Sequence, residues 1–144
     1  MNIVNRFTLA SGVFLISVPV LADRFDYEVR RQLAAEILQA AGDNYHMTHD
    51  PFIGSATNGK DDPVKVKLHA GVSYAITGVC DEDCGDLDIK LYDENLHLID
   101  SDMDDDDHPV VKVSPRWTGN YLVEIIMSNC RNSPCRYGIG IFGI

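Results

Sequence analysis

Thirteen aspartates and glutamates fall between Cys80 and Asp107, against a single lysine, Lys90. Asp81, Asp83, Asp86 and Asp88 form a first group; Asp100, Asp102 and the run from Asp104 to Asp107 form a second. Crowded like charge destabilises a fold unless a cation or ample water relieves it. Hard carboxylate oxygens in number are what Ca²⁺ takes as ligands. The first chemistry to expect is therefore calcium binding, with Asp81, Asp83, Asp86, Asp88, Asp102 and Asp104 as candidate ligands. An EF-hand register fails. With Asp81 as position 1, position 6 is Asp86 where glycine is required, and position 12 is Tyr92 where a bidentate Glu belongs. A calcium site would have to be built from loops that meet in space. The competing reading is a solvated acidic edge that keeps the chain soluble and blunts strand-edge pairing. A docking patch for a basic partner is the third.

Catalytic patterns are absent. The sequence holds no Gly-x-Ser-x-Gly, no His-Glu-x-x-His and no phosphate-cradling glycine loop. Abundant carboxylates in a solvated run do not by themselves make a general acid, which needs burial or a like-charged neighbour in a cleft. No catalytic residue is assigned and a non-enzyme is expected. His46, His49 and Asp50 have a metal-like His-x-x-His spacing, but Asn44, Pro51 and Gly54 argue against the helix that would align them. Trp117 sits in a turn, Ser114-Pro115-Arg116-Trp117-Thr118-Gly119-Asn120, where its ring could lie flat on a ligand or cap the end of the core.

The four cysteines, Cys80, Cys84, Cys130 and Cys135, read as disulfides in an exported chain. Cys80–Cys84 and Cys130–Cys135 are the favoured pairs, because turn-forming residues separate each. Loops this short stabilise by about 2 kcal/mol in the chain-entropy treatment. A crossed pairing such as Cys80 with Cys130 would close a longer loop and contribute about 4 kcal/mol. A four-thiolate zinc site is the third reading, opposed by loose spacing and an oxidising compartment.

Export is read from the first residues. Arg6 supplies a positive start, Phe7 to Leu21 is uncharged and mostly apolar, and Val20-Leu21-Ala22 suits signal-peptide cleavage before Asp23. The expected division is a signal peptide over 1–22, a helix and linker over 23–62, and a β-sandwich domain over 63–144. The apolar run is short for a span of roughly 20 residues, so no membrane attachment is expected after cleavage. The expected location is the periplasm or the extracellular medium. All 144 residues together carry a formal net charge of −10, which repels nucleic-acid backbones. Protein or polysaccharide partners are what the composition leaves.

These residues need elements to hold them. Val29, Leu33 and Ile37 recur every four residues, with Ala34, Leu38 and Ala41 on adjoining rows, so Asp26 to Ala41 should be a helix capped by Asp26 and stopped by Gly42. Asp43 to Asp62 reads as a connecting segment rich in Gly, Asn, Asp and His. From Pro63 the period becomes two. Seven short strands follow, at Val64–Leu68, Val72–Ile76, Asp86–Tyr92, Leu96–Ile99, Val110–Val113, Tyr121–Met127 and Tyr137–Ile141. Gly138 and Gly140 mark a place where another backbone or a ring comes close. The fold class is all-β: an antiparallel β-sandwich with one N-terminal helix.

Four short stretches carry a family likeness. They are Leu68-His69-Ala70-Gly71-Val72-Ser73-Tyr74, Asp86-Leu87-Asp88-Ile89-Lys90-Leu91-Tyr92-Asp93, Pro115 through Thr118-Gly119-Asn120-Tyr121-Leu122-Val123, and Tyr137-Gly138-Ile139. In this order and spacing they resemble the bacterial pre-peptidase C-terminal (PPC) domain over roughly residues 63 to 143. The resemblance implies a jelly-roll-like sandwich that is non-catalytic and serves secretion, attachment or solubility of a secreted peptidase, and some relatives bind calcium. Here only a helix and a linker precede the domain, so a free-standing accessory role is the expectation. The function expected is an exported, non-catalytic binding module, calcium-stabilised, for a polymer or protein. The alternative is an inhibitor-like or chaperone-like partner of a secreted hydrolase.

Overall fold

The computed structural model describes residues 20–144. Among them are one helix, α1 (Val20–Gly42), and nine strands: β1 (His46–Met47), β2 (Phe52–Ala56), β3 (Asp61–Leu68), β4 (Tyr74–Cys80), β5 (Cys84–Tyr92), β6 (Leu98–Asp102), β7 (Val110–Val113), β8 (Gly119–Cys130) and β9 (Cys135–Gly143). One sheet runs β1-β9-β4-β7, with β2 also on β9, and the other runs β3-β8-β5-β6. Every strand pairing is antiparallel. The protein is an all-β sandwich with one helix. The expected signal peptide lies outside the described residues, except that Val20 to Ala22 belong to α1. No helix among the described residues is long and apolar enough to cross a membrane.

The alternation read in the sequence becomes the core. Leu87, Ile89 and Leu91 of β5 and Tyr121, Val123, Ile125 and Met127 of β8 turn inward and meet Ile76, Tyr137, Ile139 and Ile141 from the other sheet. All seven expected strands are present. The segment expected to be a linker does more, because β1 and β2 both arise from it and pair with β9 at residues 142–143 and 135–139. Between them Thr48 N–H donates to the Ile141 carbonyl at 2.9 Å, so the β9 edge is covered almost continuously. The histidines of this segment take structural parts: His46 lies in β1, and His49 Nε2 donates to the Lys67 carbonyl of β3 at 2.9 Å, tying the two sheets at that edge.

Helix α1 is longer than its periodicity predicts. Asp26 lies inside it rather than at its cap and pairs with Arg136 Nε at 3.2 Å. The left-handed stop after its last residue, Gly42, is Asn44 and not Gly42 itself: Asn44 has φ of 64°, Tyr45 N–H reaches the Ala40 carbonyl at 2.9 Å, and Asn44 N–H reaches that of Ala41. That is the Schellman arrangement, with asparagine in the left-handed position. Val29 and Leu33 are buried, whereas Ile37 and Leu38 further along the helix are exposed, so only the first part of the stripe is used.

Gly138 explains where the helix sits. A Cβ there would stand 2.7 Å from both Val29 Cγ1 and Leu33 Cδ1, so the missing side chain is what lets α1 approach β9. Gly140 plays the same part for a ring, Phe142, whose Cε2 would be 2.7 Å from such a Cβ. Gly138→Ala is expected to destabilise the fold by about 1–3 kcal/mol through overpacking. Urea unfolding checks this, and unchanged stability would mean that α1 is not docked through Val29 and Leu33.

Both disulfides are local, Cys80–Cys84 and Cys130–Cys135, each with Cα atoms 5.9 Å apart. Neither the crossed pairing nor a zinc site forms, and no cysteine is free among the described residues. Cys84 and Cys130 face one another across the β5–β8 ladder, so the two staples share one corner of the sandwich.

Candidate binding surface

The acids divide into groups with different work. At the disulfide corner Asp81 is buried, with 3 % of its surface exposed, and it is fully engaged. Its Oδ2 accepts from Arg136 N–H at 2.6 Å and its Oδ1 from Asp83 N–H at 3.1 Å. Asp83 accepts from Asn132 Nδ2 at 2.9 Å, and its carbonyl accepts from Arg131 N–H, so the loop closed by one disulfide is bonded to the loop closed by the other. Nearby basic groups meet the remaining charge: exposed Arg131 reaches half-buried Asp83 at 3.7 Å, and Arg24 reaches Glu82 at 2.8 Å between exposed side chains, where such a pair contributes little.

Asp100 and Asp102 do something else. They pair with Leu91 and Ile89 across the β5–β6 ladder, so their side chains leave β6 on the core side. At the rim they meet the edge strand of the opposite sheet. Asp100 Oδ2 accepts from Lys112 N–H and Asp102 Oδ2 from Val110 N–H, both at 2.8 Å. Two carboxylates spaced i, i+2 thus substitute for the ladder that β7 would otherwise leave open. Edge N–H groups satisfied in this way are closed to pairing with a second chain. Asp104 is exposed.

Asp86 and Asp88 lie on the outer face of β5. Asp88 is 4 % exposed and takes a short hydrogen bond from Ser128 Oγ. Burial, and after it the charges of Asp88, Asp105 and Asp106, push the Asp86 carboxyl above the ordinary carboxylate range. The six candidate calcium ligands therefore do not converge: Asp81 and Asp83 are at the disulfide corner, Asp102 is bonded to β7, and Asp86 and Asp88 are on the outer face. Among the described residues no three His, Cys, Asp or Glu side chains already stand in a metal-holding arrangement.

A cavity of about 470 Å³ opens where β6 and β7 part. Ile99, Pro115, Trp117 and Tyr121 give it an apolar lining, and Lys112, Arg116 and Asp93 supply charge. Its volume lies in the range of ligand sites, and an apolar lining with a few polar groups is their usual make-up. The loop carrying Trp117 is fixed at both sides. Pro115 is buried, and Thr118 Oγ1 accepts from Ala70 N–H at 3.0 Å. Gly119 lets the indole lie along the chain, since a Cβ there would be 3.4 Å from Trp117 Cδ1 and 3.3 Å from Glu94 Oε2. Trp117 keeps 45 % of its surface exposed, so it rims the cavity rather than filling the core.

Asp93 is held inside its own turn. It accepts from Asn95 N–H at 2.8 Å and His97 N–H at 2.9 Å. The backbone bond from His97 leads in holding its carboxyl below the ordinary range, against the burial that would raise it. Lys112 and Arg116, by contrast, enter no ion pair among the described residues. The cavity thus offers an aromatic face beside two uncommitted cations on an otherwise acidic protein.

Sequence reasoning picked out Trp117 but not Lys112, Arg116, Ile99 or Tyr121. Arg116 adjoins Trp117 in the same turn and Lys112 lies just before it on β7, whereas Ile99 of β6 and Tyr121 of β8 join them only through the packing of the strands. No protein-family model matches the chain, and no curated protein matches it.

Proposed function

We propose that this is an exported, non-catalytic binding module that recognises a glycan, with a sugar ring laid on Trp117 and an acidic substituent facing Lys112 and Arg116. The observation that carries this reading is the exposed indole held rigidly at the mouth of a ligand-sized cavity with two unpaired cations beside it. A preorganised aromatic costs little conformational entropy on binding. Both disulfides fit an oxidising, extracytoplasmic setting. The non-catalytic part rests on Asp93, the one carboxylate lining the cavity, which is already committed to its turn; glycoside hydrolysis needs a facing pair. A PPC-like accessory role is compatible with the same surface.

Trp117→Ala is expected to weaken binding to an acidic polysaccharide at least tenfold, as loss of an aromatic anchor does, with the thermal midpoint little changed. Affinity electrophoresis against alginate, pectate and neutral glucan checks it. Equal mobility shifts for the variant and the parent protein, or release of reducing ends on incubation, would reject the reading.

One observation favours a second reading, a protein partner of a secreted hydrolase. Tyr27 and Leu38 of α1 are 69 % and 77 % exposed, on a helix whose other side is already docked. In that case Tyr27→Ala with Leu38→Ala, rather than Trp117→Ala, would abolish capture of the hydrolase.

A further inference from the structure

We infer that the edge of β3 accepts an extended peptide segment as a further strand, one whose residues alternate between apolar and acidic. β3 closes the order of its sheet, with β8 on one side and no strand on the other among the described residues. The phase of its ladder is fixed by Met127 N–H, which donates to the Lys60 carbonyl at 2.9 Å. The register then runs unbroken from Asp61 opposite Ile126 to Leu68 opposite Gly119. Even-numbered residues of β3 therefore turn their backbone groups to β8, and odd-numbered residues turn theirs outward. Pro63, which has no N–H to offer, falls on an outward position, and the Lys67 carbonyl that His49 meets is outward too. Lys65 N–H, the Lys65 carbonyl and Lys67 N–H have no partner among the described residues. At the other side of the sandwich Asp100 and Asp102 seal β7; here the edge is open.

Beside this edge a cavity of about 290 Å³ opens between the sheets. Val64 and Val66 face inward from β3 yet stay half-buried, and the cavity reaches past them to the buried Val123, Ile139 and Ile141. Phe52 lines it from β2 and is 38 % exposed. A strand added to β3 sets every second side chain on the face of Val64 and Val66, over this cavity, and the others on the face of Lys65 and Lys67. Those two lysines enter no ion pair among the described residues, and Asp50 is the one carboxylate that lines the cavity with them. Opposite charges facing one another across a ladder stabilise it, and like charges oppose it. Pairing two copies of this chain through the stretch sets lysine beside lysine, the usual guard of an edge against itself. The fitting occupant is therefore an acidic partner strand. In such strand addition the main-chain bonds supply affinity and the pockets for alternate side chains supply specificity.

The test is fluorescence anisotropy of a labelled peptide of alternating Glu and Val, about six residues long like an ordinary strand, titrated with the protein. Saturable binding is expected, with protection of the Lys65 and Lys67 amides from hydrogen exchange in the complex. The same peptide N-methylated at alternate amides, and a peptide of alternating Lys and Val, should bind about tenfold more weakly or worse. Lys65→Pro removes an outward N–H and should weaken binding by a similar factor while the thermal midpoint changes little, since an edge strand tolerates proline where its N–H faces solvent. Lys65→Glu with Lys67→Glu leaves the backbone intact and should do the same through charge, which guards against a folding defect in the proline variant. Trp117→Ala, on the far side of the sandwich, should leave peptide binding unchanged. Three results would overturn the inference: no saturable binding of the Glu-Val peptide, equal binding of the N-methylated form or of both lysine variants, or uptake of a free fatty acid such as decanoate with no peptide bound. The last would make the cavity a small-ligand site instead of a strand-addition edge.

Discussion

Tyr137→Ala should remove about 3–5 kcal/mol of stability, the range for truncating a large buried aromatic. That is a large share of the 5–15 kcal/mol that holds a typical domain together. Tyr137 is fully buried and lies inward from β9. Its ring covers Gly54 of β2, where a Cβ would stand 2.5 Å from the hydroxyl oxygen, and tilts against Phe52 with centroids 6.1 Å apart. Its hydroxyl donates a short hydrogen bond to Asp62 of β3, in the other sheet. One side chain therefore fastens β2 to β9 and the first sheet to the second. Urea denaturation gives the loss directly, and a change below about 1 kcal/mol would contradict the packing described.

Tyr137→Phe separates the ring from the hydroxyl, and alkaline pH is where it shows. Burial, then the bond to Asp62 and its charge, keep the Tyr137 hydroxyl protonated far above the ordinary phenol range. In the unfolded chain a tyrosine ionises near pH 10. Above that pH the unfolded state releases a proton that the folded state retains, so stability present below about pH 10 is lost as pH rises. For this one group the slope is up to about 1.4 kcal/mol per pH unit. Burial also raises Tyr92 and Tyr121, each with help from neighbouring carboxylates, which adds slope of the same sign. The phenylalanine variant should lose less stability between pH 10 and 11 than the parent protein. Parallel pH curves would count against a buried Tyr137–Asp62 bond.

Asp81→Ala carries the other large effect. It strips the acceptor from two N–H groups, those of Arg136 and Asp83, in the corner where both disulfides lie. Each buried donor left unpaired costs about 1–3 kcal/mol, so a loss on the order of 2–5 kcal/mol is expected. Asp81→Asn keeps one carbonyl acceptor but turns an amide donor toward an N–H, and should fall between. Asp104→Ala, in the same acidic stretch but exposed, should stay within about 0.5 kcal/mol. If Asp81→Ala and Asp104→Ala proved equally mild, the acids would be mere solvated charge, and the division of labour drawn here would be wrong.

That division is the part of the protein least visible in its sequence. Asp81, Asp100, Asp102 and Asp104 look alike as letters in an acidic run. What separates them is the N–H each one meets: Arg136, Lys112 and Val110 are 55, 12 and 8 residues away for the first three. No spacing rule foretells partners set by which strand crosses which. The same limit hid β1 and β2. They are short, Phe52 to Ala56 does not alternate cleanly, and their partner β9 begins about 80 residues on, at Cys135. Asn44 taking the left-handed turn after α1 in place of Gly42 is a smaller case, since either residue can adopt it and the last helical contacts decide between them.

By itself the sequence determined what depends on neighbours along the chain. Pleating sends successive side chains to opposite faces, so the alternation from Val64 to Ile141 already specified buried strands. Cysteines four and five residues apart already lay within reach of one another, and glycine at 138 already allowed a close approach. Only the tertiary structure decided which strands met, which acids became hydrogen-bond acceptors, and that Ile99 and Tyr121 line a cavity with Trp117. Those outcomes are contacts between distant segments, fixed by the joint burial of two sheets rather than by any local preference.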